Sequence, residues 1–502
     1  MGFWEKIFRK VVVEPQPLPA LLFFNTLSGQ KEEFKPLQAG KVTMYNCGPT
    51  VYDPPHIGNL RPYIFADTLR RILELNGYLS KQVINITDVG HLTSDADDGE
   101  DKVEKRARET GKTAKEITDY CSQCFFDDLR LLNIQTAGVT FPRASAHIGE
   151  QIAFIKTLEE KGYTYKTSDG IYFDTSRFPN YGKLGKVNLK GLREGARVKE
   201  NPERRQPTDF SLWKFSPPES AGQKRQQEWP SPWGIGFPGW HIECSAMSMK
   251  YLGKQLDIHT GGIDHITIHH NNEIAQSEAA TNKKFVNYWL HNEFITIENR
   301  KISKSLGNTV TLKNLIGRGF SPIAYRLWLL GIHYRSPANF TWEALEGADK
   351  ALFRLKKLLV EEWGTKVGKV DINYAEKFSE AISDDLNTPK ALALLWDLVK
   401  DKNIVNENKR TTIFYFDKIF GLGLENRDTL AKEMKTARLA PEKWTEAIKA
   451  AVDEREKARR EQNFQKADQI RQELANKGYQ VKDTPAGSEL HILRDANKAK
   501  KV

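Results

Sequence analysis

Two lysines three residues apart open the chemistry of this chain: Lys301-Ile302-Ser303-Lys304-Ser305, continued by Leu306-Gly307-Asn308. A Ser- and Gly-rich loop carrying two ammonium groups can fold over a triphosphate and offset the charge that builds in a transition state. A solvated basic turn is the commoner fate of such a run. Far upstream stands His56-Ile57-Gly58-Asn59, just before a helical pattern. A helix N-terminus offers N–H groups and a positive dipole end, so it attracts phosphate. His56 could donate to phosphate oxygens, and Gly58 removes a side chain where a nucleotide base could lie against the backbone. Each string alone also fits an ordinary turn or helix start. In this order, on an α/β background, they point together to nucleotide chemistry.

A second constellation has metal-ligand chemistry. Cys47 ends the first apolar strand pattern, Cys244 lies in WHIECSAM, and His269 and Glu273 are spaced to share a helix face. Two thiolates, an imidazole and a carboxylate make a sensible zinc set. His241, His259, His265, His269 and His270 crowd one short region. Cys and His also pack as ordinary core, so spacing alone leaves both readings open. Cys121 and Cys124 have half of a zinc or redox spacing, but no second pair follows and the stretch ITDYCSQCFFDDLRLL reads as helix. They are expected to pack.

The elements that must position these residues read as follows. VTMYN (42–46) is a short strand, CGPTVYDPPHIG a loop, and NLRPYIFADTLRRILELNG a helix with Ile64, Phe65, Leu69, Ile72 and Leu73 inward and Gly77 as its C′ residue. QVINI (82–86) is the next strand. This βαβ order implies a parallel sheet with its ligand site at the strand C-terminal ends. The 502 residues exceed what one core usually holds, so several domains are expected. We divide the chain into an N-terminal extension (1–20), a Rossmann-type catalytic half (21–140), an insertion (141–235), a second catalytic half (236–283), a linker fold with the lysine loop (284–345), a helical bundle (346–425) and a C-terminal domain (441–502). In the last, Phe464, Ala467, Ile470 and Leu474 should face inward. A formal net charge of +10 suits a polyanionic partner. The four cysteines make no disulfide framework and suit a reducing compartment. No apolar run reaches the roughly 18–20 residues that cross a bilayer, and the start reads as no secretory signal. A cytoplasmic protein is expected.

The strings YNCGPTVYDPPHIGN, GWHIECSAM, DIHTGGIDHITIHHNNEIAQS, FVNYWLH and KISKSLGN resemble cysteinyl-tRNA synthetases, within the class I aminoacyl-tRNA synthetases. The resemblance runs from about residue 22 to 485. It implies activation of L-cysteine by ATP and transfer to tRNA(Cys), by a monomer with no membrane partner. It implies one Zn²⁺ held by Cys47, Cys244, His269 and Glu273, and Mg²⁺ with ATP. Catalytic roles carry over to His56, Asn59, Lys301 and Lys304. ATP contacts carry over to these four with Gly58, Gly262 and Asp264, and the cysteine pocket to Cys47, Thr87, Trp240, Cys244 and His259. Cysteine and serine are near-isosteres that size separates poorly, whereas a soft metal binds a thiolate far better than an alcohol. An editing domain is therefore not needed, and none is evident. Departures from the family pattern are Asn59 for the last histidine of HIGH, Ile302 for Met in the lysine loop, and Asn271 for Glu. The extreme C-terminus also lacks the usual Trp. Two other readings stay open here: a ligase that places cysteine on an amino sugar, and a non-catalytic binding module.

Overall fold

The computed structural model describes residues 19–90, 92, 99–186, 201–217, 225–303, 306–439, 444–477, 479–484 and 487–493. The N-terminal extension therefore lies almost wholly outside the described residues. A hairpin of β1 (Leu22–Asn25) and β2 (Gln30–Glu33) comes first. Then β3 (Lys41–Asn46), α1 (Ile57–Leu75) and β4 (Leu79–Ile84) form the βαβ unit, with β3 and β4 parallel from Lys41↔Leu79 to Asn46↔Ile84. The strand begins earlier than the apolar run QVINI suggests. Its first half, Leu79-Ser80-Lys81, is exposed or partly exposed, so the apolar run marks only the buried half.

Two helices follow, α2 (Lys102–Thr110) and α3 (Ala114–Leu131), then β5 (Val139–Thr140) beside β4. The insertion contributes α4 (Ile148–Glu160) and an antiparallel sheet of β6 (Thr164–Lys166), β7 (Gly170–Phe173), β8 (Phe210–Phe215) and β9 (Gly236–Pro238), in that order. After α5 (Trp240–Leu252) the chain returns through β10 (Leu256–Gly262), α6 (His269–Thr281) and β11 (Val286–Asn292). The catalytic sheet is parallel throughout, with order β11-β10-β3-β4-β5. The chain leaves β3 on one side toward β4 and re-enters on the other at β10. Between those two strands lies the topological switch point where such sheets open a ligand crevice.

The antiparallel sheet runs on to Pro238 and the parallel sheet to Asn292, past the limits of 235 and 283 drawn from composition. Strand β11 is almost wholly buried because the N-terminal hairpin covers it: Asn25 Oδ1 accepts from Trp289 N, and Thr26 N donates to Trp289 O. Backbone pairing of this kind leaves no compositional mark.

Beyond the sheet, β12 (Ile295–Ile297) and β13 (Arg300–Lys301) form a hairpin, and α7 (Pro322–Leu330) leads to β14 (Ala338–Phe340), which lies parallel to β12. Helices α8 (Trp342–Lys357), α9 (Ile372–Ser383), α10 (Thr388–Lys400) and α11 (Asn406–Phe420) make the bundle. Then come α12 (Arg427–Lys435), β15 (Thr436–Leu439), α13 (Glu446–Arg460), α14 (Phe464–Asn476), β16 (Tyr479–Thr484) and β17 (Gly487–Leu493), which pairs with both β15 and β16. This last unit has its own core of Ile448, Val452, Ile470, Leu474, Val481 and Leu490. Phe464 is a correction: it is 61% exposed, while Ala467, Ile470 and Leu474 are buried. It is the first residue after the Asn463 cap and precedes the packed face.

Helix α1 is the rod on which the site is hung. Its apolar residues Leu60, Ile64, Leu69, Ile72 and Leu73 are buried, each contributing about 1.5–3 kcal/mol. Arg61 donates to the carbonyls of Phe294, His333, Tyr334 and Ser336, tying α1 to the linker fold. Further along, Asp67 accepts from Arg71, Gln135 N and Arg326, and those two arginines reach Lys418 O and Phe420 O at the end of α11. One helix thus holds the catalytic sheet, the linker and the bundle in register.

Candidate active site

Cys47 follows the last residue of β3, so its thiol stands at the sheet's C-terminal edge. Cys244 comes from the first turns of α5, and His269 and Glu273 from the first turn and a half of α6. These four meet. All are buried, and their ligand atoms lie within 4.8 Å of one another. Two sulfurs, one nitrogen and one oxygen are donors of the kind that Zn²⁺ takes, and its coordination can expand to a fifth ligand. A second group, Cys47, His259, His270 and Glu273, shares two members with the first. Histidines of both groups have polar partners: His269 Nε2 lies 3.0 Å from Glu273 Oε1. His259 Nε2 lies 3.0 Å from Glu273 Oε2, and His270 Nδ1 lies 2.8 Å from His291 Nε2. The first group, with both thiols, is the better metal centre.

The electrostatics fit ligands held ready for a cation. Burial raises the Cys244 thiol, but a hydrogen bond with Cys47 and the neighbouring His269 outweigh it and bring the group down to about 6. Burial pushes the Cys47 thiol well up, helped by its partner Cys244. Burial would also raise Glu273, yet His259 and His269 hold it down to about 2. His269 is the converse: burial lowers it, and the Glu273 carboxylate more than compensates, lifting it to about 10. The shifts favour the charged forms of one thiol and one carboxyl beside a histidine that holds its proton, a set of donors that a cation can take over.

The nucleotide motifs meet at the start of α1. His56 is the N-cap: its Nδ1 accepts from Asn59 N at 3.3 Å, while Asn59 Oδ1 accepts from His56 N at 3.1 Å. In the neutral ring this places the proton on Nε2. Asn59 closes a reciprocal capping box that a histidine there would make differently. Gly58 has a further neighbour that its sequence context does not show. A Cβ at this position would lie 2.9 Å from Ile302 Cδ1 and 3.0 Å from the His56 ring, so the bare glycine admits the lysine loop itself. Ile57 N donates to Val310 O, a second tie between the motifs. Lys301 is exposed on β13. Asn308 braces the loop at both ends, donating to Lys301 O and accepting from Ser303 N. Lys304 lies outside the described residues.

Gly262 ends β10, and the side chain of Asp264 folds back against it, its Oδ1 2.2 Å from where a Cβ would be. Trp240 opens α5 with its ring 4.4 Å from that of His269. His259 stacks on Trp289 at 4.6 Å. Thr87 lies beyond β4 and donates to Glu243 Oε2 at 2.9 Å. Cys121 and Cys124 sit on α3, Cys121 buried, and neither falls in a ligand group among the described residues. Sequence reading missed Glu243, Asn85 and His291. Each is a polar residue inside a quoted string, and only its burial at 3% exposure or less sets it apart.

A parallel sheet with its crevice at a switch point, a histidine-capped helix and a lysine loop folded onto it define a class I aminoacyl-tRNA synthetase. The profile described as "tRNA synthetases class I (C) catalytic domain" matches residues 33–350, a DALR domain matches 377–421, and a "Cysteinyl-tRNA ligase anticodon binding domain" matches 442–489. "Cysteine--tRNA ligase 1" of Burkholderia lata is 49% identical over 94% of this chain and 96% of its own length. "Cysteine--tRNA ligase" of Treponema denticola is 44% identical over 92% and 98%. The chain belongs to the cysteine–tRNA ligase family. Among solved structures, a leucyl-tRNA synthetase of Agrobacterium radiobacter K84 in a ternary complex superposes with a TM-score of 0.56 at 12% identity, covering 80% of this chain and 86% of that one. Methionyl-tRNA synthetase of Mycobacterium tuberculosis gives 0.53 at 14%, covering 79% and 93%. These two speak to fold alone.

Proposed function

We propose that this chain activates L-cysteine with ATP and esterifies it to tRNA(Cys), using a Zn²⁺ held by Cys47, Cys244, His269 and Glu273. The observation that carries the reading is the buried ligand group at the C-terminal edge of β3, next to a helix N-terminus closed by the lysine loop. When bound, Zn²⁺ would take the substrate sulfur as thiolate and so separate cysteine from serine; Mg²⁺ would accompany ATP.

In the first step the cysteine carboxylate oxygen attacks the α-phosphorus, the P–O bond to pyrophosphate breaks, and cysteinyl-adenylate forms. In the second, a hydroxyl of the terminal tRNA ribose attacks the acyl carbon, and AMP leaves. No covalent enzyme intermediate is required, so the chain's residues act by positioning and charge. His56, with its Nδ1 spent on the cap, donates through Nε2 to phosphate oxygen. Asn59 keeps that ring in place. Lys301 and Lys304 neutralise the leaving pyrophosphate. Gly262 and Asp264 face the ATP ribose, and Thr87, Trp240 and His259 line the cysteine pocket. The unit formed by α13, α14 and β15–β17 reads the tRNA at a distance from the chemistry. A monomer in the cytoplasm completes this reading. No described helix is long and apolar enough to cross a membrane.

The test is ATP–pyrophosphate exchange with cysteine against serine, followed by charging of total tRNA. Cysteine-dependent exchange and charging are expected, both abolished by a strong chelator. Absence of exchange in zinc-loaded protein would defeat the proposal.

A further inference from the structure

The stretch of the insertion from Tyr181 to Lys186 is a strap laid along α6, the helix that carries two of the four proposed ligands. Leu184 is buried in the apolar cluster that also holds Cys47 and Cys244. Asn271, between His269 and Glu273 on α6, grips Leu184 by its backbone. Leu184 N donates to Asn271 Oδ1 at 3.1 Å, while Asn271 Nδ2 donates to Leu184 O at 3.2 Å and to Ile266 O at 2.6 Å. The next residue, Gly185, has a φ of +69°, and a Cβ there would lie 2.5 Å from Ile266 Cγ2. On either side, Tyr181 OH donates to Asn272 Oδ1 at 2.5 Å and Lys183 Nζ lies 2.6 Å from Glu278 Oε2.

The orientation of the Asn271 amide is fixed from both sides. A backbone N–H can only donate and a carbonyl can only accept, so the amide oxygen faces Leu184 N and the NH₂ faces the two carbonyls. Both amide hydrogens are thereby spent. Asn271 is 1% exposed, so a side chain lacking either half of the amide would leave buried backbone groups unpaired. A glutamate carboxylate, from which this chain departs here, could accept from Leu184 N but has no proton for either carbonyl. Asparagine completes the clasp.

All four residues of the metal group are buried, so an ion passes only when part of its surroundings opens. Strand β3 is held by backbone pairing on both sides, and α5 and α6 by their own helical bonds. The strap has no such support. Leu184–Lys186 is one turn of 3₁₀ helix with positive φ at Gly185 and Lys186, fastened to α6 through side chains. Irregular segments with little backbone pairing are the ones that open locally at low free energy.

We propose that Asn271 is a positioning residue that latches this strap, and that the strap is the gate through which the metal group exchanges its ion. The inference rests on the reading of Cys47, Cys244, His269 and Glu273 as a zinc centre. The strap supplies no ligand, so its opening sets how fast an ion passes in either direction and not how tightly the four donors hold it.

The test measures zinc on the full-length protein: release from the zinc-loaded form into excess chelator, uptake by the metal-free form in stopped flow, and the dissociation constant by competition. Hydrogen exchange of the strap amides, read by mass spectrometry, reports its opening. Asn271→Leu removes the clasp at nearly constant volume. Gly185→Ala strains the strap from its own side. In each variant release and uptake should both quicken about tenfold, the equivalent of one net hydrogen bond, with the dissociation constant within about twofold of wild type. Strap amides should exchange faster in the same proportion. Faster release with unchanged uptake would mean that the ligands themselves were disturbed, a merely structural role, and would overturn the proposal. Unchanged metal kinetics beside faster strap exchange would overturn it too, as would strap exchange that stays at the wild-type rate. Should Asn271→Leu not yield folded protein, Gly185→Ala carries the same comparison. Wild-type protein that takes up no zinc would instead defeat the reading of the metal centre.

Discussion

Ile302 of the lysine loop occupies the space that a side chain on Gly58 would need, its Cδ1 2.9 Å from the missing Cβ. The two nucleotide motifs are therefore in contact through apolar atoms as well as through the Ile57–Val310 hydrogen bond. Gly58→Ala should push the loop off the cap of α1 and lower kcat for adenylate formation by roughly tenfold or more, since small misplacements of charged groups are costly in the transition state. Ile302→Val deletes the clashing methyl. The double variant should recover part of the loss, giving a coupling in a double-mutant cycle of about 0.5–3 kcal/mol. Pre-steady-state exchange kinetics would read it; strict additivity would show that the loop does not close on Gly58 in the reacting enzyme.

Of the four proposed ligands Cys244 is the one whose thiol is depressed, to about 6, and its removal should be felt in metal binding first. Cys244→Ser replaces a soft thiolate by an alcohol that stays protonated at neutral pH. Bound zinc per chain, measured by elemental analysis after dialysis, should fall to a small fraction of the wild-type value. Discrimination between cysteine and serine in pyrophosphate exchange should shrink with it. Wild-type zinc content in the variant would remove Cys244 from the ligand set.

How much of this could be read beforehand differs between elements. The βαβ start was legible because Ile64, Leu69, Ile72 and Leu73 repeat at helical spacing and the strands are apolar. The residues of the candidate metal group are distant in sequence, and the return of the chain through α5 and β10 beside β3 brings Cys47 and Cys244 together. What stayed hidden was polar. Asn85, Glu243 and Asp67 look like surface residues in a string of letters, and their burial follows from partners contributed by other elements. Phe464 failed in the opposite sense, because an apolar residue at a helix start need not reach the packed face.

Asp67 makes the stability of the fold depend on pH. Burial raises its carboxyl, but Arg326 and Arg71 outweigh burial and hold it below the ordinary value. A depressed carboxylate contributes stability that is present above the unfolded value of about 3.9 and is lost as pH falls through the folded value. Acid should thus loosen the junction of α1, α7 and α11 only as pH falls below about 3.9 toward the folded value, after carboxylates of ordinary value have been protonated. Asp67→Asn leaves two buried guanidinium groups with one neutral partner and should cost about 3–5 kcal/mol. Urea denaturation at neutral pH would show the lowered midpoint. The variant should also lose the part of the wild-type acid slope that lies below about pH 4, where this carboxylate is protonated.

The C-terminal unit has a core of its own, whereas Leu430 and Met434 of α12 belong to the main core. A truncation is best placed before β15 rather than at residue 441, because β15 pairs with β17 and would be left unpartnered. Removing residues 436–502 should leave α12 packed and the catalytic sheet intact. Cysteine-dependent pyrophosphate exchange is then expected within about twofold of the full chain, while kcat/KM for tRNA charging should fall by roughly a hundredfold, the signature of lost binding rather than lost chemistry. Both assays on one preparation make the comparison. Parallel loss of the two activities would mean that this unit supports the cradle at α1 directly, and the separation of tRNA reading from amino-acid activation would have to be given up.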